Sequence, residues 1–304
     1  MADETQEQEP SAFEAVAHEM ARQLGSACEP EPERGVSGGS IHRCYLWRCR
    51  ETPLFVKMAG VRAAAELDAE AAGLEELTAA EAVRVPKILA RGLAAGYAFL
   101  ALEWIEARPA GRESERRLGE RLAAQHRVTC ARFGWRIDNT IGRTLQRNGW
   151  LTDWTEFLRE RRLRPQLELA CERGFGSIVA EAGGRLLESV GALLDGHRPH
   201  ASLLHGDLWA GNWLADREGE PVIFDPAVYY GDRETDLAMT RLFGGFGRAF
   251  YAAYEADAPL TPGHAVRAEL YNLYHVLNHA NLFGGGYARQ ARSMIDRLLA
   301  EVGG

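Results

Sequence analysis

Residues 203–214, LLHGDLWAGNWL, begin and end as a core strand would, yet they set His205, Asp207 and Asn212 between the apolar ends. A buried polar group without a partner costs roughly 1–3 kcal/mol, so a plain strand gains nothing from three of them. A loop held between two anchored ends accounts for the pattern better. The spacing is H-x-D-x-x-x-x-N, and eighteen residues beyond Asp207 stands Asp225, in VIFDP. Between them WLAD and PVIFD flank the polar turn REGE, which predicts a hairpin that returns Asp225 toward Asp207.

Two carboxylates and an amide gathered in this way suit phosphoryl transfer. Asp207 would orient and deprotonate a hydroxyl, while the Asn212 amide oxygen and the Asp225 carboxylate would hold Mg²⁺ on nucleotide phosphates. Asp and Asn are also ordinary turn residues, so a capped loop is the competing account of the first motif. The strand that ends on Asp-Pro at the right distance favours the site.

The N-terminal third supplies matching parts. GVSGGSIHRCY carries Gly35, Gly38, Gly39 and Ser40 ahead of a hairpin, a loop able to bring backbone N–H groups close to phosphates. YLWRC and LFVKM, separated by RETP, read as that hairpin and place Lys57 on its second strand. Thirteen residues on, Glu70 lies in RAAAELDAEAAGLEELTAA (62–80), an alanine- and glutamate-rich helix, and a lysine with such a glutamate positions nucleotide phosphates. Glu66 and Asp68 are alternative partners for Lys57.

The rest of the chain reads as a helix over 11–25, strands in VRVPKILARG and YAFLALEWI, and long helices over 112–132, 152–173 and 177–195. The expected fold class is α+β and bilobal, with a small N-terminal lobe built on an antiparallel sheet and a larger, mainly helical C-terminal lobe. Residues 1–10 read as a disordered acidic tip, 11–105 as the nucleotide-binding lobe and 106–304 as the catalytic and substrate lobe.

Composition narrows the partners. With 43 acidic against 35 basic residues and a formal net charge of -8, no surface is built to neutralise the phosphates of a nucleic acid. No stretch approaches the roughly 18 uninterrupted apolar residues of a membrane span. Asp3, Glu4, Glu7 and Glu9 leave the N-terminus without the basic character of a leader, so a cytoplasmic protein is expected, and a monomer in the absence of any heptad pattern. The five cysteines at 28, 44, 49, 130 and 171 form no zinc pattern and are expected to be reduced, with Cys44 and Cys49 facing the lobe interior.

LLHGDLWAGNWL, FDPAVYYGDRETDLAMTRLFGGF, NGWLTDWTEFLRERRLRPQLELA and LYNLYHVLNHANLFGGGY together resemble the fructosamine kinase (ketosamine-3-kinase) family, over about residues 11–298. HGDLW followed by DPAVYYG separates this resemblance from aminoglycoside phosphotransferases and choline kinases, which share only the HGD, Asn and Asp elements. The resemblance implies a protein-kinase-like fold and ATP- and Mg²⁺-dependent phosphorylation of the third-carbon hydroxyl of a free or protein-bound ketosamine. The unstable product then releases the amine, which is deglycation.

By position it implies Asp207 as catalytic base, Asn212 and Asp225 as metal ligands, and Lys57 paired with Glu70 on the phosphates. Adenine would sit against backbone groups of Glu103, Trp104 and Ile105 in LALEWIE. Trp209 would offer its indole face to the sugar or its cationic amine. Asp236 resembles the aspartate that braces the catalytic loop in kinase-like folds, and His205 is expected to hold the loop's shape. His279, Asn278 and Asn281 would line the sugar pocket or satisfy one another in the core. Ser40 stands where the family often carries a loop cysteine, so redox control through that residue is not expected. The competing functions are a kinase for another hydroxylated amine, such as an aminoglycoside or choline, and a pseudokinase, which the presence of Lys57, Asp207, Asn212 and Asp225 disfavours.

Overall fold

The computed structural model describes residues 11–36 and 42–303, which form two compact units. The first comprises the chain through Ala72 together with Pro86–Glu106. The second comprises Gly73–Val85 and the chain from Ala107 onward, so the segment after the middle of the second helix packs with the later residues.

In the first unit, helix α1 (Ala12–Leu24) starts on a reciprocal cap: Ser11 Oγ accepts from Glu14 N at 3.1 Å, and Glu14 accepts from Ser11 N at 2.7 Å. It stops at Gly25, whose φ of 62° is the left-handed conformation that closes helices. Strands β1 (Arg34–Val36), β2 (Arg43–Cys49), β3 (Thr52–Gly60), β4 (Ile88–Ala94) and β5 (Tyr97–Glu103) make one antiparallel sheet in the order β1-β2-β3-β5-β4. Val16, Ala17 and Met20 of α1 pack on Trp47, Val56, Met58 and Phe99 of the sheet, all nearly inaccessible to water. Between β3 and β4 the chain forms helix α2 (Ala64–Ala79).

One expectation fails here. Cys28 and Cys49 are joined by a disulfide, whereas the sequence suggested reduced thiols. Cys28 lies opposite Cys49 in a one-residue bridge beside β2, and this tertiary pairing, unreadable from their 21-residue separation, brings the sulfurs together. Cys49 does face the interior, as does Cys44, which lies outside the disulfide; Cys130 and Cys171 are free thiols.

The second unit is mainly helical. Helix α3 (Arg112–His126) is shorter than the expected 112–132. Arg127 N and Val128 N close it onto Ala124 O and Gln125 O, after which β6 (Thr129–Cys130) pairs with β9 (Ala201–Leu204). The β-branched Val128 and Thr129 suit that switch. Strands β7 (Asn139–Ile141) and β8 (Thr144–Gln146) form a hairpin. The expected helix over 152–173 is present as α4 (Trp154–Phe157) and α5 (Arg164–Ala170) joined through a wide π turn, Leu158–Leu163, and a second π turn, Cys171–Phe175, ends it at a kink on Gly174.

Helix α6 (Gly176–Leu193) follows, then β9. Strands β10 (Trp213–Ala215) and β11 (Pro221–Ile223) pair as the expected hairpin, and β12 (Tyr229–Gly231) joins β9 on the side away from β6. Helices α7 (Glu234–Leu242), α8 (Arg248–Asp257), α9 (His264–Phe283) and α10 (Tyr287–Gly303) complete the unit. Gly119, in the middle of α3, marks a close approach: a Cβ there would lie 2.3 Å from Phe250 O of α8. No helix among the described residues is long and apolar enough to cross a membrane.

Candidate active site

Buried strand β9 ends at Leu204 and hands the chain to residues 205–212, while β10 and β11 return it to Asp225. Both halves meet at His205. Its backbone carbonyl accepts from Ala227 N at 2.8 Å, and its Nε2 lies 3.0 Å from Phe224 O. A carbonyl can only accept, so Nε2 carries the proton and Nδ1 is left to accept from Asp207 N at 3.2 Å. Burial lowers the imidazole's pKa, which keeps it neutral in this role. His205 therefore ties the residues flanking Asp225 to Asp207, as a shaper of the loop.

Gly206 fits where no other residue would. Its φ is +83°, and a Cβ would stand 2.1 Å from Ala227 O. Asp236, near the start of α7, accepts from His205 N at 2.8 Å and Gly206 N at 2.9 Å, with His126 Nε2 at 3.2 Å. Burial pushes this carboxyl up, but the hydrogen bond and charge of His126, with the Gly206 N–H, outweigh it, and its pKa is lowered. It is the expected brace. His126 was not singled out in the sequence, because a histidine ending a helix 110 residues earlier gives no local sign of this contact.

Asp207 itself is half-buried. Burial first, then the neighbouring Asp225 charge, raises its pKa from 3.8 to about 7, against the opposing hydrogen bond from Asn212. Asn212 Nδ2 donates to Asp207 O at 2.9 Å and reaches its Oδ2 at 3.3 Å. That leaves Asn212 Oδ1, which accepts no hydrogen bond among the described residues, directed elsewhere. Asp225 adopts φ 56°, a left-handed backbone that aspartate tolerates better than most side chains. An amide oxygen and a carboxylate of this kind are the hard donors Mg²⁺ takes, and the mutual repulsion of Asp207 and Asp225 is what a divalent cation would relieve. The residues fit the ion.

The platform beneath Asp225 was also missing from the sequence reading. Gln146 Nε2 donates to Ala227 O at 3.1 Å and Asn139 Nδ2 to Val228 O at 2.9 Å, so the β7–β8 hairpin holds the residues just after the metal-ligand candidate. Gly73 also leaves room for them: a Cβ there would stand 3.2 Å from Val228 and 3.4 Å from Pro226. Trp209 is 38% exposed, so it is not wedged in the core, and its ring lies over Gly211, where a Cβ would meet it at 2.3 Å. Of the α9 residues, Asn278 and Asn281 are buried and bonded to Gln166; Asn278 also donates to Ile141 O and is satisfied within the core, whereas Asn281 Oδ1 accepts no hydrogen bond among the described residues. His279 stays half-buried beside Phe243, Phe283 and Tyr287, with Nδ1 bonded to His275 O.

In the first unit, β3 places Lys57 between Cys44 and Leu100, and its Nζ reaches Glu70 Oε1 at 2.6 Å. Glu70 is thus the partner; Glu66 lies beside His42 instead, at 3.3 Å. Glu103 is the last residue of β5, its N–H bonded to Lys87 O, with Trp104 and Ile105 continuing beyond the ladder. Gly38, Gly39 and Ser40 lie outside the described residues.

The fructosamine kinase family model matches residues 12–301. A probable ketoamine kinase of Synechocystis sp. is 44% identical over 291 residues, covering 95% of this chain and 98% of its own. The chloroplastic protein-ribulosamine 3-kinase of Arabidopsis thaliana is 39% identical over 278 residues, covering 90% and 85%. A crystal structure from Haemophilus somnus described as a fructosamine-3-kinase superposes with a TM-score of 0.87 at 26% identity, covering 95% and 98%. The aminoglycoside phosphotransferase APH(4)-Ia, at 15% identity and a TM-score of 0.61, shares the bilobal kinase-like fold. On the match across its length and on these relatives, the chain belongs to the fructosamine kinase family.

Proposed function

We propose that the protein is an ATP-dependent kinase that phosphorylates the third-carbon hydroxyl of ketosamines, fructosamines or ribulosamines, and so starts their deglycation. The observation that carries this reading is Asp207, a carboxylate whose pKa is raised to about 7 beside Asn212 and Asp225, in a chain 44% identical to a probable ketoamine kinase. A base with a pKa near the working pH is ionised often enough to act there while being as basic as that allows.

In this reading Asp207 orients the acceptor hydroxyl and takes its proton as the γ-phosphoryl group is transferred. Lys57, fixed by Glu70, holds the nucleotide phosphates, with Gly38, Gly39 and Ser40 supplying loop contacts and Glu103, Trp104 and Ile105 the adenine contacts. Asn212 and Asp225 would hold Mg²⁺, which would supply neutralisation of charge on the phosphates. Trp209 offers its exposed face to the sugar or its amine.

The test is a coupled ATPase assay with ribulosyllysine and fructosyllysine in parallel, at matched Mg²⁺. ATP consumption that depends on one of them supports the reading and ranks the substrates. Turnover with aminoglycosides or choline but with neither ketosamine would replace it.

A further inference from the structure

Within the second unit, a cavity of about 910 Å³ opens between the loop at 195–200, the end of α3 and the turn that starts α7. Its walls carry four guanidinium groups, those of Arg127, Arg198, Arg233 and Arg267, with His197 and His200 beside them. Three carboxylates line it too. Asp232 Oδ2 already accepts from Tyr271 OH and faces His197 Nε2, both at 2.6 Å, and Glu234 receives both arms of the Arg267 fork at 2.7 and 2.8 Å. The Asp195 side chain accepts from Gly196 N. The spacing of His197, Asp232 and Glu234 would suit a cation, but Arg267 already pairs with Glu234, and Tyr271 OH already donates to Asp232.

The guanidinium charges facing the space are less well matched. Arg198 donates only to the carbonyl of its neighbour His197, and Arg233 only to the neutral acceptors Ala258 O, Pro259 O and Tyr254 OH, among the described residues. Arg127 has Asp257 no nearer than 3.9 Å. Concave walls concentrate the field of such groups, and planar guanidinium forks match the oxygens of a phosphate.

Arg233 also leads inward. Its Nη1 is 2.9 Å from Tyr254 OH, which is 2.8 Å from His126 Nδ1; His126 Nε2 reaches Asp236, which holds the backbone of His205 and Gly206 just before Asp207. We infer that this cavity is a second anion site, which takes a phosphate group, free or carried on a sugar, and is coupled through Arg233 and Tyr254 to the catalytic loop. An anion bound there draws Arg233 away from Tyr254, loosens the brace on Asp236 and lowers turnover.

The binding test uses the full chain carrying Lys57→Ala, without Mg²⁺, so that the nucleotide-phosphate site is disabled. Inorganic phosphate is titrated by calorimetry, with chloride holding ionic strength constant. Saturable binding is expected, weakened at least about tenfold by Arg127→Glu with Arg198→Glu, the loss of one charge-assisted hydrogen bond or more. Both side chains are exposed, and a thermal melt checks that the double variant folds. Binding no stronger than that of chloride, or unchanged by charge reversal, overturns the site. A hexose phosphate that binds more than tenfold tighter than phosphate identifies a sugar phosphate as the ligand; equal affinity identifies free phosphate.

The coupling test rests on the kinase reading, whereas the binding test does not, so the two can fail separately. At saturating ATP and ketosamine, phosphate is expected to lower kcat about fivefold, the low end of common coupling strengths. Tyr254→Phe keeps the binding and loses the effect on kcat. Inhibition that ATP competes away, or that persists in Tyr254→Phe, overturns the coupling.

Discussion

Asp207→Asn is expected to destroy the enzyme and stabilise the fold, and the second effect has a sign and size set by the site. In the metal-free protein the Asp207 pKa is raised from 3.8 to about 7, by burial and by Asp225. Each unit is worth about 1.4 kcal/mol. Below the unfolded value the group is protonated in both states and costs nothing. As pH rises toward 7 the unfolded chain ionises freely while the folded one resists, so wild-type stability falls, and above about 7 the whole penalty is present, roughly 4 kcal/mol at most. Between about pH 5 and pH 8.5 the folded pKa leaves two units still to be lost, or about 3 kcal/mol. Asparagine carries no charge at either pH and escapes this penalty. Urea denaturation in EDTA at the two pH values should therefore show the advantage of Asp207→Asn over wild type growing by about 3 kcal/mol from the lower pH to the higher. Taking the difference between pH values removes any change in hydrogen bonding that the substitution makes at both. An offset that is the same at the two pH values would refute the argument that burial and Asp225 strain this carboxylate. The same variant should bind nucleotide and lose turnover by several orders of magnitude, since it removes a role confined to the transition state.

Gly206→Ala should cost about 3 kcal/mol or more in unfolding free energy, because it meets both a φ of +83° and a contact of 2.1 Å to Ala227 O; a loss below about 1 kcal/mol by chemical denaturation would mean the loop yields easily. Glu70→Gln keeps a hydrogen-bond acceptor for Lys57 but not the charge, and is expected to raise the KM for ATP about tenfold while leaving that for ketosamine alone, as read by steady-state kinetics. Trp209→Ala should do the reverse, raising the ketosamine KM about tenfold through loss of an exposed indole face; an effect on ATP instead would assign Trp209 to the loop's shape. Asp236→Asn removes an acceptor from His205 N or Gly206 N, so kcat should fall with a loss of stability of about 2–4 kcal/mol, and a variant with full kcat would show that the brace is dispensable.

Much of the site could be read locally. H-x-D-x-x-x-x-N, the REGE turn and the strand ending at Asp225 encode a hairpin whose two arms must meet, because alternation and turn chemistry act over a few residues. The Lys57–Glu70 pair was legible for a similar reason, a strand followed directly by a helix, although choosing Glu70 over Glu66 needed the helix's rotation about its axis. The helix over 152–173 was legible as a helix but not in its detail, since its apolar positions keep near-helical spacing while π turns at Leu158–Leu163 and Cys171–Phe175 shift the face they present.

The sequence alone therefore determined the chemistry: which carboxylates, which amide and which lysine are available, and the short-range order that groups them. Tertiary structure decided how those groups are held and tuned. His126, Asn139 and Gln146 reach the site from 80 or more residues away in the chain, and the pairing of Cys28 with Cys49 and the cationic cavity around Arg233 arise the same way. Propensity and pattern act between near neighbours, whereas burial, charge repulsion and hydrogen-bond satisfaction depend on whatever the fold brings alongside. For that reason the motif singled out Asp207 as the candidate base, but its pKa of about 7 belongs to the folded molecule.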